Sequence, residues 1–149
     1  MKQTNTTIYI GKFFHSIDEK NRLFLPVDFR GGKHESFVCA QGLEGCLYLY
    51  DRRSWQRVLE KLENLSLADK VEERAFKRAF LSGAFEVSAD VQGRLLIPQH
   101  LREYAKIKNE TAIIGVGSRI EVWDKKIWDA YYRDQADFSF RNMASKLEL

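Results

Sequence analysis

The sequence predicts a mostly β protein with flanking α-helices, in which two copies of one unit interleave into a single closed, pseudo-symmetric β-barrel. Three observations carry this expectation. The chain repeats itself: GKFFHSIDEKNRLFLP, residues 11–26, lies over GAFEVSADVQGRLLIP, residues 83–98, at a constant offset of 72. Gly11 falls on Gly83, Phe13 on Phe85, Ser16 on Ser88, Asp18 on Asp90, Arg22 on Arg94 and Pro26 on Pro98. Each copy also carries short apolar runs of the kind found in strands buried on both faces. Finally, a four-stranded unit this small would leave apolar faces and strand edges uncovered, whereas two interleaved copies can close one barrel and remove the edges.

The elements follow in order. A strand over 8–16, or 83–88 in the second copy, runs into a tight turn at Asp18–Asn21, or Asp90–Gly93. A second strand follows at Arg22–Leu25 or Arg94–Ile97. Pro26 and Pro98 suit the first turn of a short helix, where the missing amide proton is not needed. Phe29-Arg30 then matches Leu101-Arg102. Two further strands are expected in each copy, at Ser36–Gln41 with Cys46–Tyr50 and at Thr111–Val116 with Arg119–Trp123, separated by glycine turns. Asp51 and Asp124 are good N-caps for the next helices, and DRRSW at 51–55 matches DKKIW at 124–128. Residues 11–55 thus form the first copy, 56–82 a helical linker, 83–128 the second copy and 129–149 a C-terminal helix with a polar, loosely held tail. In the linker, Ser66-Leu-Ala-Asp69 resembles a capping box. Leu67, Val71, Ala75, Ala79 and Phe80 fall on one face, expected to pack on the barrel, with Lys70, Arg74, Lys77 and Arg78 elsewhere in solvent.

Composition bounds the function only loosely. With 44% hydrophobic and 13% aromatic residues, the 149-residue chain can bury a real core. No apolar run approaches the roughly 18–20 residues needed to cross a bilayer. MKQTNTTIYIGK has neither the apolar stretch nor the cleavage site of a secretory signal, so a cytoplasmic location is expected. Cys39 and Cys46 sit in apolar stretches at a spacing that matches no common zinc pattern, which favours reduced, buried thiols and no metal. A net charge of +3 permits an anionic partner without demanding one.

The most faithfully repeated polar feature is Asp-x-x-x-Arg, present as Asp18–Arg22 and Asp90–Arg94. An Asp heading such a turn accepts hydrogen bonds from amides two or more residues on. Asn21 and Gly93 are the residue types most tolerant of positive φ. Each arginine then presents a planar fork of donors suited to phosphate oxygens or to guanine O6 and N7. Lys20 adds charge in the first copy, where the second has Gln92. In one copy alone, an Asp–Arg pair that merely stiffens its turn would be the simpler account. Two copies, each followed by apolar-x-apolar-Pro, favour a binding face.

SIDEKNRLFLP and SADVQGRLLIP, with DRRSW and DKKIW closing each copy and ERAFKRAFLSGA between them, resemble the MraZ family of bacterial transcriptional regulators. The resemblance runs from about Gly11 to Trp128. It implies a duplicated AbrB-like (SpoVT-AbrB) swapped-hairpin barrel of double-psi type and ring-shaped homo-oligomers in the nucleoid. It also implies binding of double-stranded DNA at short direct repeats upstream of the division and cell-wall gene cluster. The DNA surface it implies comprises Asp18, Lys20, Arg22, Asp90 and Arg94, with no cofactor, small-molecule substrate or membrane partner.

Two other functional classes compete with this reading. An enzyme is disfavoured, because His15, His34 and His100 are isolated and no phosphate loop or dinucleotide fingerprint occurs. An assembly module without nucleic acid would share fold and oligomer, but would not need both arginines displayed at equivalent turns. Trp55, Trp123, Trp128, Tyr131 and Tyr132 could stack on single strands, yet at helical or strand spacing they read as core or subunit interface.

Overall fold

A computed structural model describes residues 7–30 and 36–149. His34 and the first six residues of the N-terminal segment therefore lie outside the described part. The strands are β1 (Tyr9–Ser16), β2 (Arg22–Phe24), β3 (Ser36–Gln41), β4 (Leu47–Tyr50), β5 (Phe85–Ser88), β6 (Arg94–Leu96), β7 (Glu110–Gly117) and β8 (Ile120–Asp124). The helices are α1 (Arg52–Glu63), α2 (Lys70–Gly83), α3 (Gln99–Tyr104), α4 (Lys125–Tyr131) and α5 (Asp137–Leu147), the last two joined through a π-helical turn at Tyr132–Ala136.

All strand pairs are antiparallel, and most join the two copies. The first strand of each copy crosses over: β1 pairs with β7, and β5 pairs with β3. β4 pairs with β8, which completes the order β1-β7-β8-β4-β3-β5. β2 and β6 leave this sheet and pair only with each other. The interleaving expected from the repeat is therefore present, but the described strands do not form one continuous closed ladder. A six-stranded sheet with edges β1 and β5 is completed by a two-stranded ribbon. Packing rather than hydrogen bonding links the two: Leu23, Leu25, Leu95 and Ile97 from the ribbon segments share one buried cluster with Tyr9, Phe37, Leu47, Leu49, Ile113 and Ile120.

Local chemistry explains the closest approach in the sheet. Gly11 stands opposite Gly115 in the β1–β7 pair. A Cβ at Gly115 would come within 2.5 Å of the Tyr9 and Ile10 backbone, so a side chain there would force β1 and β7 apart. A second cluster, Cys46, Tyr48, Ala112, Ile114, Trp123 and Trp128, lies where α4 docks on the sheet. Trp123 stacks on Tyr131 and meets Trp128 edge-on, with centroids 4.9 and 5.3 Å apart. These aromatics are packing residues. Both cysteines are free and buried, and burial raises the Cys39 thiol pKa to about 12.

Four expectations need correction. Pro26 is the N-cap of a short 3-10 helix at Val27–Phe29 and Pro98 the N-cap of α3, one residue earlier than the first turn. The N-cap of α2 is Asp69, which accepts from the amides of Val71 and Glu72, while Glu73 reaches back to the Leu67 amide at 2.8 Å. The apolar face of α2 does not pack on the sheet as a whole. Phe80 is half-buried against Trp55 of α1, but Val71 is 67% exposed, and Ala75 and Ala79 are exposed as well. The segment from Asp137 is not a loose polar tail but a helix, and it shows Phe138, Phe140, Met143 and Leu147 to solvent. No described helix is long and apolar enough to cross a membrane.

Candidate nucleic-acid interface

The two Asp-x-x-x-Arg turns have the same hydrogen-bond set, bond for bond. In the first, Asp18 Oδ1 accepts from the Lys20 and Arg22 amides, each at 2.9 Å, and Oδ2 accepts from Arg22 Nε at 2.8 Å. The Arg22 carbonyl accepts from the Asp18 amide, and the Asp18 carbonyl accepts from the Asn21 amide. In the second, Asp90 Oδ1 accepts from Gln92 and Arg94 at 2.9 Å, Oδ2 accepts from Arg94 Nε at 2.8 Å, and the two backbone bonds recur with Gly93. Asn21 and Gly93 take φ of 62° and 83°, the left-handed conformation their residue types suggest. The amide bonds from Arg22 and Arg94, helped by the guanidinium bonds, hold both carboxyl pKa values below their usual range against a smaller opposing effect of burial.

This geometry modifies the simple stiffening account rather than excluding it. Each Asp does fix its Arg, but only through Nε. The Nη atoms of both guanidinium groups have no partner among the described residues, so one edge of each fork is held and the other is presented. The ribbon aligns the two forks. Arg22 pairs with Leu96, and Phe24 pairs with Arg94, around the central Leu23–Leu95 pair. Leu23 and Leu95 are fully buried, so alternation along each strand turns Arg22 and Arg94 to the opposite, outer face. Two residues along and one strand across, the arginine Cα atoms stand about 8 Å apart. Both side chains remain partly exposed, at 27% and 29%. Lys20 sits exposed on the first turn.

Sequence reasoning missed a fourth cation at this face. The Arg30 guanidinium lies over the Phe24 ring at 5.1 Å and occupies the space a Cβ at Gly93 would need. Gly93 is thus required twice, by its φ and by Arg30. In the other copy, where Asn21 brings a side chain, Arg102 Nε donates instead to the Ile97 carbonyl at 3.0 Å. The signal was legible as a second repeated arginine, eight residues after Arg22 and Arg94.

Among the described residues, no group of three or more His, Cys, Asp or Glu side chains could hold a metal. His15 packs edge-on against Phe24, and His100 Nε2 lies 3.1 Å from the Gly83 carbonyl oxygen. Neither faces a nucleophile.

Comparison with known proteins agrees with the repeat. The family described as "MraZ protein, putative antitoxin-like" matches twice, over residues 8–79 and 80–149. Proteins named transcriptional regulator MraZ are similar over nearly their whole length. That of Desulforamulus reducens is 43% identical over 94% of this chain and 97% of its own. That of Caldanaerobacter subterraneus subsp. tengcongensis is 44% identical over 93% and 96%. That of Pelotomaculum thermopropionicum is 46% identical over 94% and 95%. With its duplicated turns, crossed strands and two family matches spanning residues 8–149, the chain belongs to the MraZ family.

Proposed function

We propose that this protein is a sequence-specific DNA-binding transcriptional regulator, not an enzyme, and that duplex DNA seats on the outer face of the β2–β6 ribbon. The observation that carries this is the pair of identical turns, each holding an arginine by Nε and presenting its Nη edge on the same face. A held guanidinium loses little freedom on binding, so each contact to phosphate or to a guanine edge keeps more of its energy. Asp18 and Asp90 act as positioning residues, Arg22 and Arg94 as contacts, and Lys20 as added charge in the first turn. The relatives' name as regulators supports the same reading.

Ring-shaped homo-oligomers on short direct repeats, upstream of the division and cell-wall genes in the nucleoid, complete the proposal. A net charge of +3 makes one subunit a weak binder, whereas several subunits on several boxes gain by effective concentration. The apolar surfaces of α2 and α5, including Val71, Phe76, Phe138 and Phe140, suit burial against further copies of the chain.

Fluorescence anisotropy with a duplex carrying tandem repeats tests the reading, with Arg22→Ala/Arg94→Ala beside the wild type and a scrambled duplex as control. Each arginine removed is expected to weaken specific binding by about 5- to 150-fold, corresponding to ~1–3 kcal/mol per contact. A wild type that prefers no duplex would leave the turns purely structural and make the protein an assembly module.

A further inference from the structure

We infer that a lysine-lined cleft beside the first turn extends the DNA surface as a clamp on the phosphate backbone flanking the recognised box; this rests on the DNA-binding reading above. The cleft has a volume of about 510 Å³ and is lined by Lys106, Lys108, Lys125 and Lys126, with Glu110 and Asp124 as its acidic members. Both acids lie close to groups of the cleft itself. Asp124 caps α4 by accepting from the Ile127 amide at 3.3 Å, and the Glu110 charge raises the Lys125 pKa after the larger effect of Asp129. Lys125 donates to Asp129 at 2.8 Å. Lys106, Lys108 and Lys126 are exposed and have no hydrogen-bonded or ion-paired side-chain partner among the described residues. Three exposed ammonium groups without a protein partner around one cleft repel each other, and an anion there relieves that repulsion.

The cleft is continuous with the turn. The Ile17 amide donates to the Asn109 carbonyl at 2.7 Å, one residue before Asp18, and Ser16 pairs with Glu110. The same strand carries the basic surface further. Lys12 and Lys125 both approach the Phe14 ring, at 5.8 and 5.1 Å from its centroid. Lys106 also takes a φ of 55°, where glycine or asparagine is the usual choice after a helix, so the lysine is kept at a conformational cost. A duplex whose groove meets Arg22 and Arg94 would carry its backbone across this cleft. Contacts of this kind position and strengthen without reading sequence.

The test uses the full chain in its native oligomer. Wild type, Lys108→Gln and Lys106→Gln/Lys108→Gln/Lys126→Gln are titrated over a range of KCl concentrations. Two tandem-repeat duplexes are used, one ending at the box edges and one extended by about one helical turn. The extended duplex is expected to bind the wild type more tightly, and the triple variant to lose that gain. The slope of log K against log salt should fall by about 1 in Lys108→Gln and by about 2–3 in the triple variant. Preference for the repeats over a scrambled duplex, oligomer size and melting temperature should stay as in the wild type. Wild-type slopes in both variants would overturn the clamp while leaving the ribbon interface standing. A changed oligomer size would overturn it by assigning the lysines to assembly. If the wild type binds no duplex, the regulator reading falls, and the clamp with it.

Discussion

Asp18 and Asp90 show how much one side chain can organise. Each carboxylate accepts two amides and one guanidinium Nε, which fixes the turn and aims the arginine together. Because these bonds require the ionised form, the pKa of each is lower folded than unfolded. The stabilisation is complete above the ordinary carboxyl value of 3.8 and is lost as pH falls through the lowered folded value. The melting temperature of the wild type should therefore fall on acidification below about pH 4 more steeply than that of Asp18→Asn/Asp90→Asn. Circular-dichroism melts across that range check this, and equal acid slopes would mean the carboxylates do not govern the turns. At this scale the sequence was highly legible, because Asp, Asn or Gly, and Arg at fixed spacing express local backbone chemistry. Arg30 escaped, since its place depends on the other copy bringing Gly93 beneath it.

Among the elements, strands were read closely and helices less well. β3 coincides with its expected range, β1 and β4 start one residue later than expected, and β7 and β8 differ by one residue at each end, because buried alternation and glycine turns mark both ends of a strand. An amphipathic helix announces an apolar face but not what covers it. Leu67, Val71, Ala75, Ala79 and Phe80 do share a face, yet only Leu67 and Phe80 are even half-buried. The C-terminal segment was undervalued because its charges hid Phe138, Phe140, Met143 and Leu147, which continue the helix begun at α4. That helix is anchored by Trp128, 9% exposed within the second cluster. Trp128→Ala should cost about 3–5 kcal/mol in urea denaturation. A loss well under 1 kcal/mol would mean α4 is held by something other than this aromatic contact.

At the level of the whole molecule, the pairing of β1 with β7, β3 with β5 and β4 with β8 joins the two copies, and residues of both share the larger buried cluster. The exposed apolar faces of α2 and α5 are the surfaces that the proposed assembly would cover. Val71→Glu/Phe138→Glu is expected to shift sedimentation velocity toward smaller species. It should also weaken binding to tandem repeats more than to a single box, because only the former gains from multivalency. An unchanged species distribution would remove these helices from the assembly. The duplication, the order and type of the strands, the positive-φ turns and the arginines they hold were legible in the chain, since all of these are short-range consequences of residue type and spacing. Beyond reach of that local chemistry were the division of the interleaved strands into a six-stranded sheet and a separate ribbon, and the positions of Arg30 and the lysine cleft beside the turns. Those relations join residues tens of positions apart, and local periodicity carries no information about which distant strand a given edge will meet.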